Sequence, residues 1–139
     1  KTEKFMKSPY HFIVIDTDQV NCSVSCKAIM QAARSAVIQT FTQTSDGITY
    51  IKEKYSGQEK NKLILFLNMD GTETMAWDFI GDFEKEDDKI KNNTTIYLLS
   101  ADITAQARWQ AGQFSFVKGF LPRPLLHEDL MREIFDKKK

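Results

Sequence analysis

"LILFLNMDGTETMAWDF", residues 63–79, decides the fold. Its first five residues, Leu63, Ile64, Leu65, Phe66 and Leu67, form an unbroken apolar run that stops at Asn68. The run is too short to cross a bilayer, and Lys62 and Asn68 bound it with polar groups. It suits a strand buried on both faces, as in a parallel sheet. An amphipathic pattern resumes near Met75, with Trp77, Phe79, Ile80 and Phe83 marking a helix over 75–85. A buried parallel strand that ends in a polar side chain points it toward a ligand site. Here that side chain is a neutral amide.

Working outward, four more β-rich apolar runs occupy residues 11–16, 36–42, 95–100 and 116–121. Helical patterning is predicted over 19–34, over 46–55 with Ile48, Ile51 and Tyr55 on one face and Thr44 or Ser45 as cap, over 104–112, and over 126–135. The charged stretch EKEDDKIKNN, 84–93, reads as a solvated loop, and residues 58–62 as a polar connection. Strand and helix alternate five times, which implies a parallel sheet covered on both faces through right-handed crossovers. The expected fold is α/β and doubly wound, as one domain over residues 1–139 with its core at about 10–136.

The 139 residues are 42% hydrophobic with zero formal net charge, so one core forms without staples and charge offers no general attraction to nucleic acid or membrane. No apolar run approaches membrane-spanning length, and the first ten residues lack the apolar centre of a signal peptide. The sequons at Asn21 and Asn92–Asn93 are therefore discounted, and the Lys137–Lys138–Lys139 tail reads as a solvated end. Cys22 and Cys26 lie four apart on the helix face of Ile29 and Ala33, which suits buried packing better than metal binding.

Ligands of doubly wound sheets bind beyond the carboxyl ends of the strands. The residues there are Asp16 and Thr17, Asn68, Ser100 and Arg123. One carboxylate, hydrogen-bonding side chains and a cation are thus expected to converge.

The segments "FIVIDTDQVN", "QTFTQTSDGITYIK", "LILFLNMDGTETMAWDFI", "TIYLLSAD" and "GFLPRPL" resemble the receiver domains of bacterial two-component response regulators, from about Tyr10 to Phe135. The resemblance implies a flavodoxin-like sheet of five parallel strands in the order 2-1-3-4-5 with five helices. It implies a cytoplasmic phosphorelay role in which an aspartate takes a phosphoryl group from a histidine kinase with Mg²⁺. It also implies a switch surface on the fourth helix, fifth strand and fifth helix, through which a homodimer could form. Residue by residue, Asp16 stands for the first member of the acidic pair and Thr17 for the second. Asn68 stands at the phosphoacceptor position, Ser100 is the switch hydroxyl and Phe120 the switch aromatic. Arg123, followed by Pro124, stands for the family's lysine, and the resemblance suggests a cis bond between them. Thr72 and Met75–Ala76 replace the usual loop after the acceptor.

An acyl phosphate forms when an ionised carboxylate oxygen attacks phosphorus, which an amide cannot match. Mg²⁺ relies on carboxylates, and only Asp16 remains of the family's three. A unit charge about 4 Å away is worth about 4 kcal/mol at an effective dielectric of about 20, and about twice that toward a divalent ion. No metal and no cofactor are therefore expected, nor enzymatic phosphoryl transfer. Arg123 is expected either to pair with Asp16 or Asn68, filling the space of metal and phosphate, or to face solvent. The expected function is a degenerate receiver acting through contacts with a histidine kinase, another receiver or an output protein, with no nucleic-acid or membrane partner. Trp109 fits either such a contact or the core. No DNA-binding output domain is expected in the four residues after Phe135, which suits a stand-alone receiver or one excised from a longer protein.

Two alternatives stay open. Asp70, two residues past Asn68, could serve as a phosphoacceptor with Mg²⁺ if the register shifts. The architecture also hosts flavin and other small-ligand proteins, but the segment DTDQVNCSVS after the first strand has no glycine to cradle a phosphate.

Overall fold

A computed structural model describes residues 10–54, 62–71 and 73–135. The elements, in chain order, are β1 (Tyr10–Ile15), α1 (Gln19–Ala32), β2 (Val37–Phe41), α2 (Thr44–Lys54), β3 (Lys62–Asn68), α3 (Glu73–Glu84), α4 (Asp88–Asn92), β4 (Thr94–Leu99), α5 (Ala105–Ala111), β5 (Val117–Leu121) and α6 (His127–Leu130). A π-helical turn, Met131–Phe135, continues α6. All strand pairs are parallel, in the order β2-β1-β3-β4-β5.

The period-two side-chain alternation of strands divides the core in two. On one face Ile13, Ile15, Leu63, Leu65, Leu67, Ile96 and Leu98 pack with Ile51, Phe79, Ile80 and Phe83. On the other, Phe12, Val14, Ile64, Phe66, Tyr97 and Leu99 pack with Cys22, Ile29, Leu130 and Ile134. Burial of both faces explains why the β3 run is continuous rather than alternating. Gly47 gives α2 room over Ile15, since a Cβ there would force the end of the Ile15 side chain to shift.

Three expectations need correction. The stretch 84–93 is not wholly a solvated loop, so the helix count exceeds five: α4 forms within it, because Ile90 is apolar enough to bury against the first core cluster. The Thr94 hydroxyl closes α4 by donating to the Ile90 carbonyl at 2.8 Å. Thr44 and Ser45 do not precede α2 as caps but lie inside its first turn. Trp109 is not core, with 68% of its surface exposed, because the seven-residue α5 turns it outward. The expectations for Tyr55, residues 58–61, Thr72 and the lysine tail lie outside the described residues.

Candidate functional site

Strand register builds the site. Ile15 pairs with Leu67, Asn68 with Leu99, and Leu99 with Leu121. Asp16, Asn68 and Ser100 therefore leave the sheet at nearly one level, with Arg123 just past β5. The ladder extends beyond the strands: the Asp16, Met69 and Ser100 amides donate to the carbonyls of Phe41, Leu99 and Leu121 at 3.0, 2.9 and 3.1 Å.

Asp16 is 1% exposed, and a buried carboxylate requires compensation. Arg123 supplies it as a two-bond fork, Nε donating to Oδ2 at 3.0 Å and Nη2 to Oδ1 at 2.8 Å. This planar, bidentate match is one that lysine cannot make. The Asp18 amide adds a third donor to Oδ1 at 2.9 Å. The hydrogen bonds of the guanidinium to Asp16, with burial opposing them, hold the Arg123 pKa above its ordinary value. The Arg123–Pro124 peptide is cis.

Asn68 is 2% exposed at the end of β3. Its Oδ1 accepts from the Asp70 amide at 2.9 Å, and its Nδ2 donates to the Asp70 carbonyl at 3.1 Å. Only an amide offers both an acceptor and a donor in this geometry. Gly71, at φ +72°, then turns the chain away in a conformation that suits glycine.

Asp70 bridges to the neighbouring strand end. Its Oδ1 accepts from the Ser100 hydroxyl at 2.7 Å, and its Oδ2 from the Ala101 amide at 2.9 Å. The Arg123 Nη1 lies 3.8 Å from Oδ2, so one guanidinium serves two carboxylates. The Ser100 hydroxyl also accepts from the Asp102 amide at 3.1 Å.

Thr17 is exposed beside this network. Asp18 caps α1, its side chain accepting from the Val20 amide at 2.8 Å. Phe120 is half-buried on β5, with the Arg108 guanidinium 5.8 Å from its ring centre, within cation–π range. The cavity bounded by Asp16, Thr17, Asn68 and Met75 measures about 10 Å³, barely the space of one water.

This donor set does not fit Mg²⁺. Both Asp16 oxygens carry guanidinium bonds, Asn68 is committed to the Asp70 backbone, and both Asp70 oxygens are engaged. Mg²⁺ would have to displace a cation from the buried carboxylate it needs most. Among the described residues, no group of three or more His, Cys, Asp and Glu is placed to hold a metal ion.

A cleft of about 610 Å³ lies between α1 and β2, lined by Cys22, Cys26, Lys27, Phe41 and Asp46 among others. Burial, with Asp16 second, pushes the Cys22 thiol up to about 11, so it stays protonated and directs its hydrogen at the Asp16 carbonyl, 3.4 Å away.

Residue types at strand ends were enough to nominate Asp16, Asn68, Ser100 and Arg123. They did not reveal that Asp70 reaches Ser100 and Ala101, because an Asp in a loop carries no sequence signal for the direction of its carboxylate. The Ala101 amide, a backbone donor, carries none at all.

No protein-family model and no curated protein matches the chain in sequence. Solved structures do match in fold. A two-component response regulator from Cytophaga hutchinsonii aligns with TM-score 0.77 at 19% identity, covering 94% of this chain and 100% of that one. A response regulator receiver protein from Dyadobacter fermentans aligns at 0.75 and 15% identity, covering 88% and 96%. A two-component response regulator from Legionella pneumophila aligns at 0.75 and 11% identity, covering 91% and 96%. The chain has the five-stranded α/β receiver fold.

Proposed function

We propose that the chain is a receiver-like domain of two-component signalling whose acceptor site is disarmed and which works through protein contacts. The observation that carries this reading is the Arg123 fork on Asp16. It places a permanent cation on the carboxylate a phosphoryl-transferring receiver would use for its metal, beside a neutral Asn68. The amide has neither the charge nor the nucleophilicity for an acyl phosphate. Asp70 is a poor substitute acceptor, since hydrogen bonds to both its oxygens draw off the electron density that attack on phosphorus requires.

The partners in this reading are signalling proteins, such as a histidine kinase, another receiver or an output protein, in the bacterial cytoplasm. Trp109 on α5, Leu126 just before α6 and Met131 in the π-helical turn after it are exposed large apolar residues on the elements where the resemblance implies a switch surface. Aromatic and Met side chains are enriched in protein interfaces, and a homodimer through that surface belongs to the same proposal.

The test is incubation with a small phosphodonor and Mg²⁺, followed by intact-mass measurement. The expected result is no phosphoryl adduct. A stoichiometric adduct would overturn the proposal, and one mapped to Asp70 would replace it with the phosphorylatable alternative.

A further inference from the structure

We propose that Asp70 is a built-in anionic ligand: its carboxylate fills an oxyanion cradle formed by the Ser100 hydroxyl, the Ala101 amide and the Arg123 guanidinium. Once the tethered carboxylate is removed, the cradle takes a free small carboxylate in its place.

The donors come from two parts of the chain, the Ser100–Ala101 step after β4 and Arg123 after β5, and each part is fixed independently of Asp70. The Ser100 amide is held in the sheet ladder by the Leu121 carbonyl, which sets the Ser100–Ala101 backbone. The Ser100 oxygen accepts from the Asp102 amide at 3.1 Å, which orients its hydroxyl. That hydroxyl has one hydrogen, and the 2.7 Å approach to Asp70 Oδ1 takes it ahead of the Asp102 carbonyl at 3.1 Å. A short O–H···O⁻ contact of this kind is charge-assisted and strong. Arg123 is held by Asp16 through Nε and Nη2, which leaves Nη1 directed toward Asp70 Oδ2. The cradle is thus preorganised, and its donor count and positive charge match one carboxylate.

Tethering explains why the internal group wins. Asp70 is pinned through both main-chain polar groups to the Asn68 amide, so its carboxylate has a high effective concentration at the cradle. A free anion must wait for the fraction of molecules in which Asp70 has swung out, and its apparent affinity falls by that fraction. The Asp70 side chain is 27% exposed, so solvent anions have a route to the site. The clamp joins the loop after β3 to the loop after β4, which leads into α5 and its exposed Trp109. It holds that approach in one arrangement without any added group. It needs no phosphoryl chemistry, so its failure and that of the disarmed-receiver reading are separate.

The experiment compares wild type with Asp70→Ala by residue-resolved amide hydrogen exchange and NMR, in sodium acetate and in sodium chloride at matched ionic strength. In chloride, the Ala101 amide is expected to exchange at least about tenfold faster in D70A, the consequence of losing one hydrogen bond to a charged acceptor. In acetate, D70A is expected to recover protection at Ala101, with a saturable shift of that resonance. Wild type should respond at least about tenfold more weakly, and the D70A/S100A double variant should lose most of the response. Unchanged Ala101 exchange in D70A, equal acetate responses in wild type and D70A, or a response independent of Ser100 would each overturn the proposal. If D70A does not fold, the isosteric Asp70→Asn variant decides. Faster exchange and a shifted Ala101 amide support the clamp, and wild-type behaviour refutes it.

Discussion

Replacing Arg123 with Ala tests the network at the point where burial and charge meet. The change removes two hydrogen bonds and the counter-charge from Asp16, which is 1% exposed and, among the described residues, keeps only the Asp18 amide. Breaking a buried ion pair by removing one partner costs about 3–5 kcal/mol, because the other charge stays buried and unpaired. The Arg123 side chain is 19% exposed at the sheet edge, so water can enter behind the truncation and the low end, about 3 kcal/mol, is expected. An unfolding entropy of about 2.1 cal/mol/K per residue over 139 residues gives about 0.29 kcal/mol/K, so Tm should fall by about 10 °C. Urea unfolding followed by far-UV circular dichroism measures the loss directly. The diagnostic comparison is a double-mutant cycle with Asp16→Ala, in which the pair together should cost at least about 1.5 kcal/mol less than the sum of the singles. A loss under about 1 kcal/mol in R123A, or additive singles, would show that the fork does not compensate the buried carboxylate and would remove the physical basis of the proposed disarmed site.

Three further predictions concern other sites. Ser25 is fully buried and its hydroxyl is without a hydrogen-bond partner among the described residues, so Ser25→Ala should stabilise the domain by about 1 kcal/mol in urea unfolding. An unchanged or lower midpoint would contradict that. Burial lowers the His11 pKa below its ordinary 6.5, so the unfolded chain binds a proton more readily than the folded one. The His11 contribution is then intact above about pH 6.5 and lost as pH falls below it, and the drop in Tm between about pH 7 and pH 5.5 should shrink in His11→Asn. Asn68→Asp alone should destabilise by about 2–3 kcal/mol, since it sets a carboxylate oxygen against the Asp70 carbonyl. It should also gain no Mg²⁺ affinity in titrations of intrinsic fluorescence, whereas adding Thr17→Asp and Arg123→Lys should restore measurable binding.

Much of the molecule was legible in the residues themselves. The five-residue apolar run at 63–67, the four other β-rich runs and the intervening amphipathic segments were enough for a parallel sheet with helices on both faces. Periodicity and burial are set locally, by side chains that have no alternative to the interior. The strand order was carried by resemblance, and the topology agrees with it. Ile90 is where local reading failed: one apolar residue in a charged stretch says nothing about the core that will receive it.

The chain alone determined which chemistries the strand ends could offer: one acid at Asp16, an amide at Asn68, a hydroxyl at Ser100, a cation at Arg123 and a second acid at Asp70. Only the tertiary structure decided how they pair. Arg123 lies 107 residues from Asp16, and Ser100 lies 30 from Asp70. Which carboxylate meets which donor follows from strand register and from a glycine turn at Gly71, not from spacing along the chain. Hydrogen bonds are short-ranged and directional, so a one-residue slip in β4 would have given Asp70 a different partner from the same sequence.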